Sequence, residues 1–407
     1  MLTGKQIVVG VTGGIAAYRA AELVRLYVKA GAHVHVIMTS AAAEFITPLT
    51  FQTLSGNPVH IELFNLISER EIGHIALADR ADVLVVAPCT ANLIGKVAAG
   101  LADDLLTTTI MATKAPVLFV PAMNSNMWEN PIYQGNQARL SELGYHFVEP
   151  VSGLLACGWQ GKGKMAEPEV VFEETGRLLT PQDLAAETIL ITAGPTREEL
   201  DPVRYLSNYS SGKMGYAIAR AARQRGAKVV LVSGPTSLTP PAGVMLHKIV
   251  SAEQMKQAVL EHLPSCTVVI KSAAVADYRP AERAARKIKK GGEDQMQLTL
   301  VKNPDILAEV SKAKKGQLVI GFAAETDELA THAVRKLESK DLDLIVANDV
   351  TCPQAGFDVD TNLVRLFYRN GETEQWPLMS KAQVADRLLG CVVRLLCSGR
   401  NGTKQAQ

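Results

Sequence analysis

His74, Asn124 and Cys157 are the residues of the first half whose side chains could do chemistry, and each sits in a segment marked by glycine or proline. Gly73-His74 precedes an apolar helical stretch, Pro121-Ala122-Met123-Asn124 follows an apolar run, and Cys157 lies in the glycine-rich stretch from 153 to 163. Taken singly, His74 is a proton-transfer group or a structural histidine, Asn124 a helix cap and Cys157 a packing residue. Gly10-Val11-Thr12-Gly13-Gly14-Ile15 lacks the Gly-x-Gly-x-x-Gly spacing of a dinucleotide fingerprint. It leaves two readings: a single-phosphate site, helped by the hydroxyls of Thr39-Ser40, or a tight turn with no ligand. In the second half, Ser211-Gly212-Lys213-Met214 is not a Walker A loop. Met214 stands where the metal-binding hydroxyl belongs, and no glycine lies five residues before Gly212. Lys287-Ile288-Lys289-Lys290 is a basic loop followed by Gly291-Gly292, either solvated or a flap with glycine hinges. Lys336 and Lys340 are four apart, so on a helix both ammonium groups face one side, toward a ligand or toward water.

Parallel strands must position these groups. Ile7 to Val11 is apolar, then comes the glycine turn, then an Ala-rich helical stretch to Lys29 closed by Gly31. Further strands are expected at 33–38, 83–87, 117–120 and 145–148, with helices between them. Near-continuous apolar strands alternating with helices imply a parallel sheet covered on both faces. The strand-then-glycine pattern restarts at Thr188 to Gly194, after an acidic helical stretch from about 170 to 187. A second set is expected at 228–232, 268–270, 318–320 and 344–347, with a helix from about 214 to 225. The fold class is therefore α/β, two Rossmann-like parallel-sheet domains spanning 1–188 and 189–407, alike in design but sharing no repeated motif. Segments after the carboxyl ends of parallel strands converge on one crevice, and His74, Pro88 to Asn92, Asn124 and Cys157 all belong to such segments. The tail from Ser398 onward is expected to be unstructured.

At 407 residues the chain has room for two or three domains. Hydrophobic residues at 47% and charged residues at 20% describe a globular chain with sizeable cores. A net charge of +1 argues against a nucleic-acid binder held by bulk charge. That average conceals a split: 12 Lys and Arg against 18 Asp and Glu in residues 1–188, a net −6, leave 30 against 23, a net +7, in 189–407. The second half should suit polyanionic small molecules. No run of 18 apolar residues predicts a membrane span, and the first apolar segment meets Gly10 and Gly13 too soon for a signal peptide, so a cytoplasmic protein is expected. Six cysteines without a Cys-x-x-Cys pair indicate neither a disulfide framework nor a zinc site. Cys391 and Cys397 fit no motif.

Gly13-Gly14-Ile15-Ala16-Ala17, Gly73-His74-Ile75, Pro121 to Asn124 and Ala156-Cys157-Gly158 together resemble the flavin-containing cysteine decarboxylases. Thr192 to Glu198, Asp201-Pro202-Val203-Arg204, Ser207-Asn208, Ser210 to Gly215, Ala273 to Tyr278, Lys287 to Lys290, Lys302 to Asp305 and Gly321 to Thr326 resemble phosphopantothenate–cysteine ligase. Both sets in this order resemble the bifunctional bacterial coenzyme A biosynthesis family, over nearly all of residues 5–390. That resemblance implies a flavodoxin-like flavoprotein domain followed by a CTP-binding ligase domain. It implies CTP-dependent ligation of L-cysteine to 4′-phosphopantothenate through an acyl-cytidylate, then FMN-dependent decarboxylation to 4′-phosphopantetheine. By the same resemblance, His74 is the base, Asn124 grips the substrate carboxylate, and Cys157 donates a proton; FMN lies at Gly13, Gly14, Ser40, Thr90 and Asn92. Asn208 contacts the acyl-phosphate and Lys287 stabilises charge during its formation. Ala273, Asp277, Asn303, Pro304, Asp305, Ile306, Phe322, Lys336 and Lys340 belong to the substrate and CTP site. Magnesium is expected with the triphosphate, without a legible protein ligand set. The family assembly extrapolates to a dodecamer of decarboxylase trimers joined by ligase dimers, with no nucleic-acid or membrane partner. Two rival readings are a flavin-dependent oxidoreductase fused to a nucleotide-binding domain and a non-catalytic flavin-binding subunit.

Overall fold

The computed structural model describes residues 2–63, 73–156, 158–289, 296–325, 329–349, 356 and 358–404. Contacts divide the chain into two compact units, Met1–Pro181 and Gln182–Gln407. The expected division at 188 and 189 stands seven residues later, at the first strand of the second unit.

In the first unit β1 (Gln6–Val11) leads into α1 (Ala17–Lys29), and β2 (His33–Met38) into α2 (Ser40–Ala43), α3 (Pro48–Ser55) and the two-residue β3 (Val59–His60). Helix α4 (Gly73–Arg80) precedes β4 (Val83–Cys89), α5 (Ala91–Ala98), α6 (Leu105–Ala112), β5 (Val117–Pro121), α7 (Ser125–Glu129), α8 (Pro131–Glu142) and β6 (His146–Phe147). These strands form one parallel sheet in the order β3-β2-β1-β4-β5-β6. Without the edge strand β3 the order is flavodoxin-like, reversing between β1 and β4. Every residue of β4 and β5 is buried, as strands covered on both faces must be. Helix α1 buries Ala17, Ala20, Leu23, Val24 and Tyr27, a stripe at helical spacing. The Tyr27 hydroxyl meets the Thr175 hydroxyl at 2.6 Å, joining α1 to α9 (Pro168–Leu178) and satisfying two buried polar groups. Before α9 the chain makes an antiparallel hairpin, β7 (Val151–Leu154) with β8 (Gln160–Lys164).

The second unit begins with β9 (Thr188–Ala193), followed by β10 (Arg197–Glu199), β11 (Tyr205–Ser207), α10 (Lys213–Gln224), β12 (Lys228–Ser233), β13 (Met245–Lys248) and α11 (Ala252–His262). Then come β14 (Val268–Lys271), β15 (Tyr278–Pro280), β16 (Leu300–Lys302), α12 (Ile306–Ala313), β17 (Leu318–Glu325), α13 (Leu329–Ser339) and β18 (Leu344–Asp349). The chain closes with β19 (Thr361–Asn362), β20 (Val364–Tyr368), β21 (Thr373–Gln375), β22 (Met379–Ser380) and α14 (Lys381–Lys404). The main sheet runs β13-β12-β9-β14-β17-β18-β20-β21. Its first six strands are parallel, but β20 pairs antiparallel with β18 and β21 antiparallel with β20. This corrects the expectation of a purely parallel sheet: a short hairpin seals that edge. A second correction is the tail, which from Ser398 continues α14 as helix to Lys404. Helix α14 buries Val384, Ala385, Leu388, Leu389, Cys391 and Val392 in one core with α10 and the sheet. Trp376 is fully buried there, its indole N–H donating to Glu374 at 2.9 Å and the Arg387 guanidinium lying 4.5 Å over its ring.

Candidate active sites in the two units

At the carboxyl ends of β1, β2 and β4 the first unit holds a cavity of about 570 Å3 lined by Gly13, Thr39, Ser40, Thr90, Asn92 and Met127 among others. Thr12 stitches its floor together: its hydroxyl donates to the Pro88 carbonyl at 2.8 Å and accepts from the Thr90 N–H at 3.1 Å. Thr39 and Thr90 cap α2 and α5 with their side chains. Gly13 is required sterically, because a Cβ there would stand 2.5 Å from the Ala41 Cβ and 2.9 Å from its backbone carbonyl. Gly14 is not so constrained: its Cβ would meet only the Thr90 methyl, at 3.9 Å. Gly13, Ser40, Thr90 and Asn92 thus share one cavity, with Gly14 beside them in the turn.

Asn124 caps α7, its Oδ1 accepting from the Asn126 N–H at 2.8 Å, and Met127 on that helix reaches the cavity wall. Hairpin β7–β8 docks on the segment leading to this cap. The Met123 N–H donates to the Gly163 carbonyl at 3.0 Å, and Lys162 lies 5.0 Å over the Trp128 ring. Gly163 has φ +150°, and a Cβ on it would fall 2.2 Å from the Met123 carbonyl oxygen. Cys157, between the two strands of this hairpin in sequence, lies outside the described residues. His74, the second residue of α4, is half-buried; its Nδ1 is buried with no hydrogen-bond partner among the described residues, and it does not line the described wall of the cavity.

The second unit has a cavity of about 660 Å3 at the carboxyl ends of β14, β17 and β18. Asn208, Ala273, Asp277, Phe322 and Lys336 all line it, together with Ser210 to Gly215. Asn208 is exposed, and its amide donates to the Val275 carbonyl at 3.0 Å, tying its loop to the Ala273–Tyr278 segment. Asn303 ties a second motif to that segment: its N–H donates to the Asp277 carbonyl and its amide to the Ala276 carbonyl, each at 2.8 Å. Asp305 caps α12, accepting from the Ala308 N–H at 3.0 Å, and pairs with Lys340. The two lysines of α13 and its end therefore differ in role, since Lys336 lines the cavity whereas the Lys340 ammonium is engaged by Asp305. Neither Pro304 nor Ile306 is on the wall, and the Ile306 side chain is core. Lys287 is exposed and also off the wall.

Its segment is held from below. Asp201, with a fully buried side chain, accepts from the N–H groups of Val203 and Arg204 at 2.8 Å, from the Arg204 guanidinium at 2.7 Å, and from the Ile288 N–H at 3.1 Å. Arg204 in turn donates to the Ile288 carbonyl at 2.6 Å. Burial alone would raise the Asp201 carboxyl, but these donors outweigh it and hold the group well below the usual carboxylate range. Sequence reasoning missed this anchor because 87 residues separate Asp201 from Ile288. It also missed two lysines around the cavity, Lys381, held by the Gly356 and Val359 carbonyls, and Lys271; Lys213, from the Ser210 to Gly215 motif, lines it too and pairs with Asp360 at 2.9 Å. The signal for Lys271 was present, a charge closing an apolar strand. Among the described residues no group of three or more His, Cys, Asp or Glu could hold a metal ion, and no helix is long and apolar enough to cross a membrane.

The Flavoprotein family model matches residues 1–180, and the DNA/pantothenate metabolism flavoprotein C-terminal domain matches 184–396. A Coenzyme A biosynthesis bifunctional protein CoaBC from Vibrio vulnificus is 48% identical over 397 residues, 97% of this chain and 99% of its own length. Its namesake from Bacillus subtilis is 47% identical over 96% of this chain and 97% of its own length. Among solved structures, the C-terminal domain of a CoaBC protein is 42% identical over 53% of this chain and 99% of its own, with a TM-score of 0.47. A PPC decarboxylase mutant complexed with pantothenoylaminoethenethiol is 32% identical over 42% of this chain and 96% of its own, with a TM-score of 0.38.

Proposed function

Because the chain belongs to the family of bifunctional coenzyme A biosynthesis proteins, flavoprotein enzymes joining a decarboxylase to a ligase, we propose that it makes 4′-phosphopantetheine in two steps. The second unit ligates L-cysteine to 4′-phosphopantothenate at the expense of CTP, and the first removes the cysteinyl carboxylate with FMN. The observation that carries this reading is the gathering of Asn208, Ala273, Asp277, Phe322 and Lys336, drawn from separate motifs, on one cavity wall. Relatives matched across both units bear the bifunctional name, which favours it over a fused oxidoreductase or a non-catalytic flavin subunit.

An unactivated carboxylate has no leaving group, so the ligase must attach one; cytidylate from CTP serves, and the cysteine amine then displaces it. Asn208 holds the acyl-phosphate, Lys287 offsets the charge that develops as it forms, and Asp277, Phe322 and Lys336 with Asn303 to Ile306 and Lys340 frame the nucleotide. Asn303 and Asp305 do so as positioning residues, since their bonds go to the protein. Magnesium would come with the triphosphate, carried by phosphate oxygens and water, and would offset the charge of the phosphates.

The first cavity suits a group with one phosphate: the chain turns at Gly13 against Ala41, and the hydroxyls of Thr39, Ser40 and Thr90 surround the opening. FMN would be held there by Gly13, Gly14, Ser40, Thr90 and Asn92, and it supplies a hydride acceptor that later returns the hydride. Asn124 grips the carboxylate that leaves, His74 takes a proton from the substrate, and Cys157 gives one back to carbon. The first units assemble as trimers that place the flavin near a subunit interface, an arrangement supported by the position of His74 off the described wall of its own chain's cavity. Ligase dimers joining such trimers make a dodecamer in the cytoplasm.

The test uses purified protein. It should be yellow, release pyrophosphate from CTP only when 4′-phosphopantothenate is present, and release carbon dioxide from 4′-phosphopantothenoylcysteine. A colourless protein indifferent to CTP would refute the proposal.

A further inference from the structure

Strand β14 reads Val-Val-Ile-Lys, and its apolar run ends on a lysine at the wall of the ligase cavity. Val269 packs in the core with Met255, Val310 and Leu337 of α11, α12 and α13, whereas Val268 and Ile270 pack in the core on the opposite face. Alternation along the strand therefore sends Lys271 to the α12 and α13 side. Its charged neighbours there are Asp305 at the start of α12, Lys336 and Lys340 on α13 and just past its end, and Asp277 after β14. Asp305 is paired with Lys340, Lys213 with Asp360, and Lys381 with backbone carbonyls. The Lys271 side chain has neither a hydrogen bond nor an ion pair among the described residues. A half-buried ammonium without a partner is costly unless an anion arrives.

We propose that Lys271 is a phosphate-binding cation of the ligase cavity, placed to meet a phosphoryl oxygen of a bound substrate. This rests on the ligase assignment above and adds a contact outside its motif residues. Burial, with Lys336 and Lys340 nearby, pushes the Lys271 ammonium below the ordinary lysine range, and Asp305 and Asp277 oppose that shift. An incoming phosphate acts in the opposite sense. It favours the charged form, so binding draws a proton from solvent at any pH where part of the population is neutral.

Two ligands bring phosphate to this cavity, and separate titrations of the full chain tell them apart. One calorimetric arm uses CTP with magnesium, the other 4′-phosphopantothenate, each in two buffers of different ionisation enthalpy at alkaline pH. For whichever ligand Lys271 meets, the wild type takes up a fraction of a proton. Lys271→Met then binds that ligand roughly 10- to 100-fold more weakly, the size of one charge-assisted hydrogen bond, without uptake. Lys271→Arg restores affinity without uptake, because a guanidinium stays protonated. Wild-type affinity for both ligands in Lys271→Met overturns the proposal, and so does proton uptake that survives in Lys271→Arg, which decides the matter if the methionine variant does not fold. Affinity for the ligand that Lys271 does not meet, which binds in the same second unit and should stay at the wild-type value in Lys271→Met, serves as the folding control. A wild type that binds neither ligand fails differently, because it removes the ligase assignment itself.

Discussion

Substituting Gly163 by alanine should undock hairpin β7–β8, between whose strands Cys157 lies in sequence. The glycine sits at φ +150°, where an alanine costs about 1–3 kcal/mol in backbone strain alone. Its Cβ would stand 2.2 Å from the Met123 carbonyl oxygen, a backbone atom that cannot swing aside. Relief requires breaking the 3.0 Å bond from the Met123 N–H to the Gly163 carbonyl, a further loss of about 1 kcal/mol. Docking then weakens by about 2–4 kcal/mol, a change of roughly 30- to 700-fold in the ratio of docked to undocked hairpin. The Lys162 contact with Trp128, worth about 0.5–1 kcal/mol, cannot compensate. The assay is carbon dioxide release from 4′-phosphopantothenoylcysteine beside pyrophosphate release from CTP, with limited proteolysis reporting on β7 and β8. Decarboxylation should fall by roughly tenfold or more, ligation should hold, and the hairpin should become the first site cut. An alanine variant that decarboxylates at the wild-type rate would refute the docking argument.

Gly13→Ala should yield colourless protein, since the Cβ displaces Ala41 from the phosphate cradle, whereas Gly14→Ala keeps the flavin; visible absorbance after desalting compares them. Asp201→Asn should lower ligation roughly 10- to 100-fold by releasing the Ile288 anchor under Lys287, with decarboxylation unchanged in the same assay pair. The folded Asp201 carboxyl lies below its unfolded value of about 3.9, so its stabilisation is complete above that pH and is lost as pH falls through the lower folded value. Melting curves of wild type and Asp201→Asn should therefore differ at neutral pH and converge on strong acidification. His74→Asn should abolish carbon dioxide release and spare ligation; equal loss of both activities would point to misfolding.

The central parallel strands of both sheets were legible because burial on both faces leaves them as apolar runs, of which Val83 to Cys89 is the clearest. Hairpin β7–β8 was not, because Val-Ser-Gly-Leu and Gln-Gly-Lys-Gly-Lys show neither alternation nor an apolar run, and pairing there rests on docking. The antiparallel edge β20–β21 escaped for a related reason: a five-residue and a three-residue strand carry little periodic signal. Glycine turns and motif residues located the cavities, yet which groups face them depends on long-range pairing. Lys340 reads like Lys336 in sequence, yet Lys340 pairs with Asp305 while Lys336 lines the cavity. Asp201 was legible as part of a motif, but its bond to the Lys287 segment, 87 residues away, was not.

Helix α14 has a bearing on how the protein is made. Its apolar side closes over α10, which begins at the ligase cavity, and over strands laid down as early as β9. On the ribosome the first unit can collapse once its own residues have emerged, but the second must wait with its sheet uncovered until the final helix is released. Nascent chains stalled short of residue 381 should therefore present a finished first unit to chaperones beside an unfinished second one, and the two activities should appear in the order opposite to their use.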